Sequence, residues 1–156
     1  MSAAYTSLQA KGVEWMKRFH AAGDALNGKP WIDTFWTPDC VLQFSNAPEV
    51  SGRDELVTMF TSQFAYLESM KHTILTLDVV SDKIYLRASI TYCVKNDPER
   101  KDITIPAFAV FFFPTELTID GGFDKMNRFE VYLNPAPLQE RIAEVLKTAD
   151  EEGFKG

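Results

Sequence analysis

The spacing of apolar residues along this chain changes near its middle. Up to about residue 70 they recur three or four positions apart, the spacing of one helix face; from His72 to Tyr132 they alternate, the spacing of strands. Helical spacing returns after Pro137. The first segment predicts a helix over residues 5–27, with Leu8, Trp15, Phe19, Ala22 and Leu26 on one stripe and Lys11, Glu14, Lys17 and Arg18 opposite. Gly28-Lys29-Pro30 ends it, and Pro30 opens a short second helix, Trp31 to Trp36, which stops at Thr37-Pro38-Asp39. Cys40 to Phe44 reads as a strand closed by the turn-rich Ser45-Asn46-Ala47-Pro48.

Ser51 followed by Asp54 is a capping signature for a third helix, which the recurrence of Leu56, Phe60, Phe64 and Leu67 extends to Met70. His72 then heads a strand over 72–80, with further strands at 83–94, 103–113 and 124–133. Ser81-Asp82, a polar link at 95–102 and a loop around Asp120-Gly121-Gly122 separate them. A last helix occupies about 137–149, with Leu138, Ile142, Val145 and Leu146 on one face, and fraying is expected from Glu151. Helices first and a meander of strands afterwards predict an α+β fold, with helices packed on one face of an antiparallel sheet.

The run Ala107 to Phe113 is apolar on both faces, as is much of 72–80, whereas antiparallel sheets usually wet one face. If helices cover the concave face, a second subunit or the C-terminal helix must cover the other. A homodimer packed through the sheet is the expected answer.

Composition narrows the possibilities. At 156 residues the chain is one domain in length, and the aromatic share of 13% favours an interior or cavity suited to an apolar ligand. A net charge of −6, with no Lys/Arg cluster interleaved with aromatics, argues against a nucleic-acid partner. No apolar run approaches the ~20 residues of a membrane span, and the first residues lack the pattern of a secretory signal, so a cytoplasmic protein with no membrane partner is expected. Cys40 and Cys93 lack metal-ligand spacing and read as small buried hydrophobes; no metal is implied.

Few side chains carry evident chemistry. His72, one of two histidines, can donate and accept protons near neutral pH, or can simply be satisfied by a carbonyl. Tyr92 shares its strand face with Ala88 and Ile90; it faces a cavity or the core according to register. Arg128, Glu130 and Tyr132 share one face of the last strand, where Glu130 is an acid or base in a dry pocket or an ion-paired group at a rim. Asn46 can orient a ligand oxygen or serve an Asx turn. His20, at the edge of the first apolar stripe, reads as a half-exposed surface residue.

The order of elements, with Trp31 to Phe44, Asn46-Ala47-Pro48-x-x-Ser51-Gly52-Arg53, His72-Thr73-Ile74, Ile90-Thr91-Tyr92, Ile105-Pro106-Ala107, Val131-Tyr132 and Pro137-Leu138, resembles the nuclear-transport-factor-2-like superfamily. Within it the chain is most similar to the SnoaL-type polyketide cyclase and scytalone dehydratase branch, especially small fungal members, over about residues 8–140 of a single domain spanning 1–156. The resemblance implies a cone in which a curved sheet and three N-terminal helices enclose a pocket, followed by a C-terminal helix. It implies cofactor-free lyase or isomerase chemistry, of dehydratase or cyclase type, on an apolar secondary metabolite such as a polyketide or terpenoid. A non-catalytic small-molecule-binding or protein-interaction domain of the same fold is the alternative.

By resemblance, His72 takes the place of a dehydratase pocket histidine, and Tyr92 stands where a second histidine is expected. Asp33 lies in a region from which some relatives project an acid into the pocket, and Trp31, Trp36, Phe60 and Phe64 are core or pocket wall. An epoxide hydrolase of this superfamily would need an Asp-Arg-Asp arrangement, which the sequence does not place. A converging set of His72, Tyr92 and another polar group would favour an enzyme, and a cavity filled by phenylalanines the binding or structural reading.

Overall fold

A computed structural model describes residues 2–154. Helices α1 (Ala3–Asp24) and α2 (Gly28–Phe35) precede strand β1 (Trp36–Phe44), the short β2 (Val50–Ser51) and helix α3 (Arg53–Phe64). Strands β3 (Leu67–Val80), β4 (Lys83–Val94), β5 (Asp102–Phe112) and β6 (Met126–Leu133) follow, and α4 (Ala136–Phe154) ends the chain. The α+β reading holds, as an open, curved six-stranded sheet in the order β2-β1-β6-β5-β4-β3. The β3 to β6 meander is antiparallel, but β1 lies parallel to β6, so the sheet is mixed.

Several boundaries differ from those the sequence predicts. Gly28-Lys29-Pro30 forms the first turn of α2, which ends at Phe35, and Thr37-Pro38-Asp39 lies within β1, which starts at Trp36 rather than at Cys40. Helix α3 ends at Phe64, and β3 already begins at Leu67, so His72 sits within a strand rather than at its head. Pairing with β4 shifts register between Leu67 and Ser69, and again between Ile74 and Thr76. Such bulges put residues three apart on the same face. Leu67 and Met70 are both buried, and that spacing imitates a helix.

The capping signature at Ser51 is not used, because Ser51 pairs with Val41 as edge strand. Gly52 is the N-cap instead, at φ +91°, which glycine adopts without a Cβ penalty; its N–H donates to the Cys40 carbonyl at 3.0 Å. At the C-terminus, where fraying was expected, α4 continues to Phe154, and Lys155 and Gly156 lie outside the described residues.

The core is an aromatic cluster at one end of the cone. Phe19 lies within 5.1–6.0 Å, centroid to centroid, of Trp15, Trp31, Phe35, Phe111 and Phe129, mostly at steep interplanar angles. Such pairs add about 0.5–1.5 kcal/mol each beyond area burial. Helix α1 reaches the sheet through Gln9, whose amide exchanges hydrogen bonds with the backbone of Val79, and through Gly12, where a Cβ would stand 2.5 Å from Val79 Cγ2. Cys40 and Cys93 are buried free thiols. No helix among the described residues is long and apolar enough to cross a membrane.

Helix α4 lies on the concave side, where Leu138 and Ile142 face the interior. It therefore leaves the outer sheet face uncovered among the described residues. Arg141 anchors it by two hydrogen bonds to Asp97, whose side chain is fully buried and also accepts from the backbone N–H groups of Glu99 and Lys101. Arg141 holds the Asp97 carboxyl well below the usual carboxylate range, against an opposing push from burial.

Candidate active site

The sheet, α1, α2, α3 and α4 enclose a cavity of about 450 Å³. Its floor is made by small and branched side chains from the middle of the sheet, among them Ala88, Ile90, Ala107 and Ala109. Ala88, Ala107 and Ala109 occupy positions where larger residues would fill the space, so the cavity is open rather than packed by phenylalanines. Among the described residues, the wall contains no Lys, Arg, Asp or Glu. Exposed Ser62, Gln63, Tyr66 and Gln139 give it a polar rim between the end of α3 and the start of α4.

Polar groups gather where α1 meets β3 and β4. Asp24, the last residue of α1, reaches β3: its Oδ2 accepts the His72 backbone N–H at 3.0 Å, and its Oδ1 lies 2.6 Å from His72 Nδ1. A carboxylate at a helix C-terminus opposes the helix dipole, and the two bonds to His72 offset that cost. With Nδ1 donating to Asp24, the neutral ring keeps its lone pair on Nε2, and the ring lies in the cavity wall. Both side chains are about one-fifth exposed.

His20, one helical turn before Asp24, stacks on His72 with ring centroids 4.3 Å apart and planes 15° apart. It is 6% exposed and lines the cavity, contrary to the surface position expected of it. Burial, helped by the neighbouring His72, pushes its pKa down to about 3, so it is neutral at physiological pH. Tyr92 projects from β4 on the same face as Ala88 and Ile90. Burial, with Asp24 nearby, raises its phenol to about 12, so it is a donor and not a base.

The other sequence candidates divide cleanly. Trp31, Phe60 and Phe64 line the cavity, while Trp36 is buried behind it, edge-on to Trp31 and Phe129. Glu130 and Tyr132 are placed on the outer sheet face, because the strand alternates and their neighbours Val131 and Leu133 face the cavity. There Arg128 bonds Glu130 and Glu49, each at 2.7 Å, and the Tyr132 hydroxyl donates to Glu130 at 2.9 Å. Arg128 lowers the Glu130 pKa, the opposite of what an acid in a dry pocket requires.

Asn46 is an exposed turn residue away from the cavity. Asp33 is ion-paired to Arg53, which also holds Asp54. This is an Asp-Arg-Asp group, but it lies on the surface with Asp54 93% exposed, outside the cavity where an epoxide would bind. Among the described residues, no three His, Cys, Asp or Glu side chains gather as a metal site would.

Asp24 and His20 are the two site residues that the sequence reading missed. Their four-residue spacing places them on one face of α1, and an acid at a helix C-terminus is itself a signal.

The model of the SnoaL-like domain family matches residues 15–117, which include the cavity floor, His20, Asp24, His72 and Tyr92. The chain belongs to the SnoaL-like domain family. With it comes membership of the nuclear-transport-factor-2-like superfamily. A search of curated protein sequences finds no significant match.

Solved structures share the fold at low identity. The structure of PrhC from Penicillium brasilianum NBRC 6234 superposes with a TM-score of 0.69 at 12% identity, covering 92% of each chain. A candidate isomerase from Bacillus subtilis gives 0.67 at 17% identity, over 87% of this chain and 95% of its own. A candidate SnoaL-like polyketide cyclase from Jannaschia Sp. CCS1 gives 0.64 at 16% identity, over 91% and 95%.

Proposed function

We propose that this SnoaL-like protein is a cofactor-free lyase or isomerase that moves a proton on an apolar substrate of polyketide or terpenoid type. The observation that carries the reading is the Asp24–His72 pair, which fixes one imidazole nitrogen and leaves Nε2 for a ligand in the cavity. His72 Nε2 takes a proton from the carbon beside a substrate carbonyl. The imidazolium so formed is stabilised by the Asp24 carboxylate.

Tyr92 donates to the carbonyl oxygen as negative charge develops there, which a neutral phenol in an apolar wall does without solvent reorganisation. The proton then returns to another carbon, giving an isomer, or to a β-hydroxyl that leaves as water, giving an unsaturated ketone. His72 and Tyr92 are catalytic residues in this scheme, and Asp24 is a positioning residue. A wall without charged groups suits an uncharged, mostly hydrocarbon molecule.

Deuterium exchange tests this without knowledge of the natural substrate. Wild-type protein in deuterated buffer is expected to catalyse exchange beside the carbonyl of a bicyclic aryl ketone such as tetralone, and His72→Ala to lose at least about 100-fold. Exchange that is unchanged in His72→Ala overturns the assignment. Binding without exchange by wild-type protein supports the binding-module alternative.

We further propose a homodimer through the outer sheet face, supported by half-exposed Phe108 and Tyr132 beside Tyr85 and by the position of α4 on the opposite side. Light scattering of Phe108→Glu is expected to show a monomer where wild type shows a dimer; a monomeric wild type rejects it.

A further inference from the structure

His20 has no evident structural reason to be polar. Its ring is held between Phe19 and His72, with centroids 5.9 and 4.3 Å away, and is 94% buried by its 6% exposure. A phenylalanine would pack in the same place without the cost of burying two ring nitrogens. Neither nitrogen makes a hydrogen bond among the described residues, and burial, helped by the neighbouring His72, keeps the ring neutral. The Tyr92 hydroxyl likewise makes none. Buried polar groups in native proteins are almost always bonded. Among the described residues, the fully buried side-chain polar atoms without a partner are Trp31 Nε1, Trp36 Nε1 and Thr37 Oγ1, and Trp31 lines the cavity; the His20 nitrogens and the Tyr92 hydroxyl are unbonded but stay accessible from it. Here both residues, with Nε2 of His72, border one cavity.

The stacking geometry says more about that partner. Two nearly parallel imidazoles with centroids 4.3 Å apart, both in the cavity wall, can be met together by groups separated by a similar distance. Oxygens on adjacent or next-but-one carbons of a ring meet that requirement, whereas oxygens at opposite ends of a ring do not. Asp24 is committed to His72 and contributes a negative charge behind it, and no cation lines the wall, so an anionic ligand group is disfavoured.

We infer that His20 is a second ligand-binding imidazole, and that the substrate is an uncharged molecule bearing two oxygen functions on adjacent or next-but-one carbons, one met by His72 Nε2 and the other by His20. This deepens the proton-transfer reading, on which it rests for the role of His72. In this arrangement His20 acts as a neutral hydrogen-bonding group and sets specificity, and His72 carries the proton.

The test compares binding of four probes that share one tert-butyl group: the phenol, the catechol, the resorcinol and the hydroquinone. Measured anaerobically by ligand-observed NMR, wild type is expected to bind the catechol or the resorcinol at least about ten-fold more tightly than the phenol. The hydroquinone should resemble the phenol. His20→Phe should abolish the preference and leave phenol affinity within about three-fold, while His20→Gln, which retains hydrogen-bonding groups, should keep part of it.

Equal binding of all four probes by wild type overturns the inference, as does a preference that survives both variants. Because only binding is read, the outcome separates from the exchange experiment. Exchange without the preference removes the role of His20 alone, and the preference without exchange removes the proton-transfer role of His72 alone.

Discussion

The two faces of one sheet hold polar groups in opposite ways. On the outer face Glu130 is bonded to Arg128 and Tyr132, and Arg128 to Glu49 as well, so charges are matched and hydrogen bonds made. On the cavity face His20, Tyr92 and His72 border an apolar cavity, and the two imidazoles stack on each other. A matched network costs little to bury partially and gives no group a reason to change protonation. An unmatched set in a dry cavity carries a desolvation cost, which a ligand with complementary groups relieves. The proposed chemistry therefore belongs to the cavity face, although the outer face holds more charge.

Substitutions can break this contrast. His72→Ala and Asp24→Asn are expected to lower ketone exchange by about 100-fold or more, through loss of the base and of its fixed tautomer. Glu130→Gln should leave the rate within about two-fold. A rate that follows Glu130 would reverse the roles of the two faces.

Next in size is the clasp on α4. Asp97→Ala leaves Arg141 without its buried partner and two backbone donors without an acceptor, at a cost of about 3 kcal/mol. A thermal melt should show Tm lower by about 6–12 °C.

Acid sensitivity distinguishes the faces by pH window. His20 has a folded pKa of about 3 against 6.5 when free, so the unfolded chain binds the extra proton first, and stability falls as pH drops through 6.5 toward 3. The slope is at most about 1.4 kcal/mol per pH unit. Glu130 and Asp97, lowered by their arginines, contribute stability that is lost only as pH falls below their ordinary values near 4. Denaturant melts between about pH 6.5 and 4.5 should therefore flatten in His20→Phe and keep their slope in Glu130→Gln.

The smallest effect on stability is expected at the cavity floor. Ala88→Leu fills space that is open, so folding should change by about 1 kcal/mol or less while tert-butylcatechol affinity falls at least about ten-fold. The neighbouring Arg87→Leu, on the outer face, should leave affinity unchanged. Equal effects at both positions would mean that the probe does not bind in the cavity.

The fold was legible because helical and strand spacing separate so clearly along the chain, and because β4 alternates without interruption from Ile84 to Tyr92. That regularity also places Ala88, Ile90 and Tyr92 on one face from sequence alone. Strand β3 was harder to read. Its two register shifts change the parity at Leu67–Ser69 and Ile74–Thr76, so a period of two fails there, and Leu67 with Met70 mimics one more helical turn.

The site was half legible for a related reason. His72 and Tyr92 stand out as rare polar groups on apolar faces, whereas Asp24 and His20 look like ordinary polar residues of an amphipathic helix. Their burial depends on how α1 lies against β3, which no spacing along a single element reports. Glu130 attracted attention by sharing a strand with cavity residues. One step of alternation sends it to the opposite side.

Nitrogen NMR of histidine-labelled protein tests the central claim most directly, since the chain has only two imidazoles to assign. Neutral His72 is expected to carry its proton on Nδ1, bonded to Asp24, with Nε2 unprotonated and shifting when tert-butylcatechol is added, and Asp24→Asn to disturb this tautomer. A His72 protonated at Nε2 in the neutral ring, or an Nε2 signal unmoved by a probe that demonstrably occupies the cavity, would contradict it.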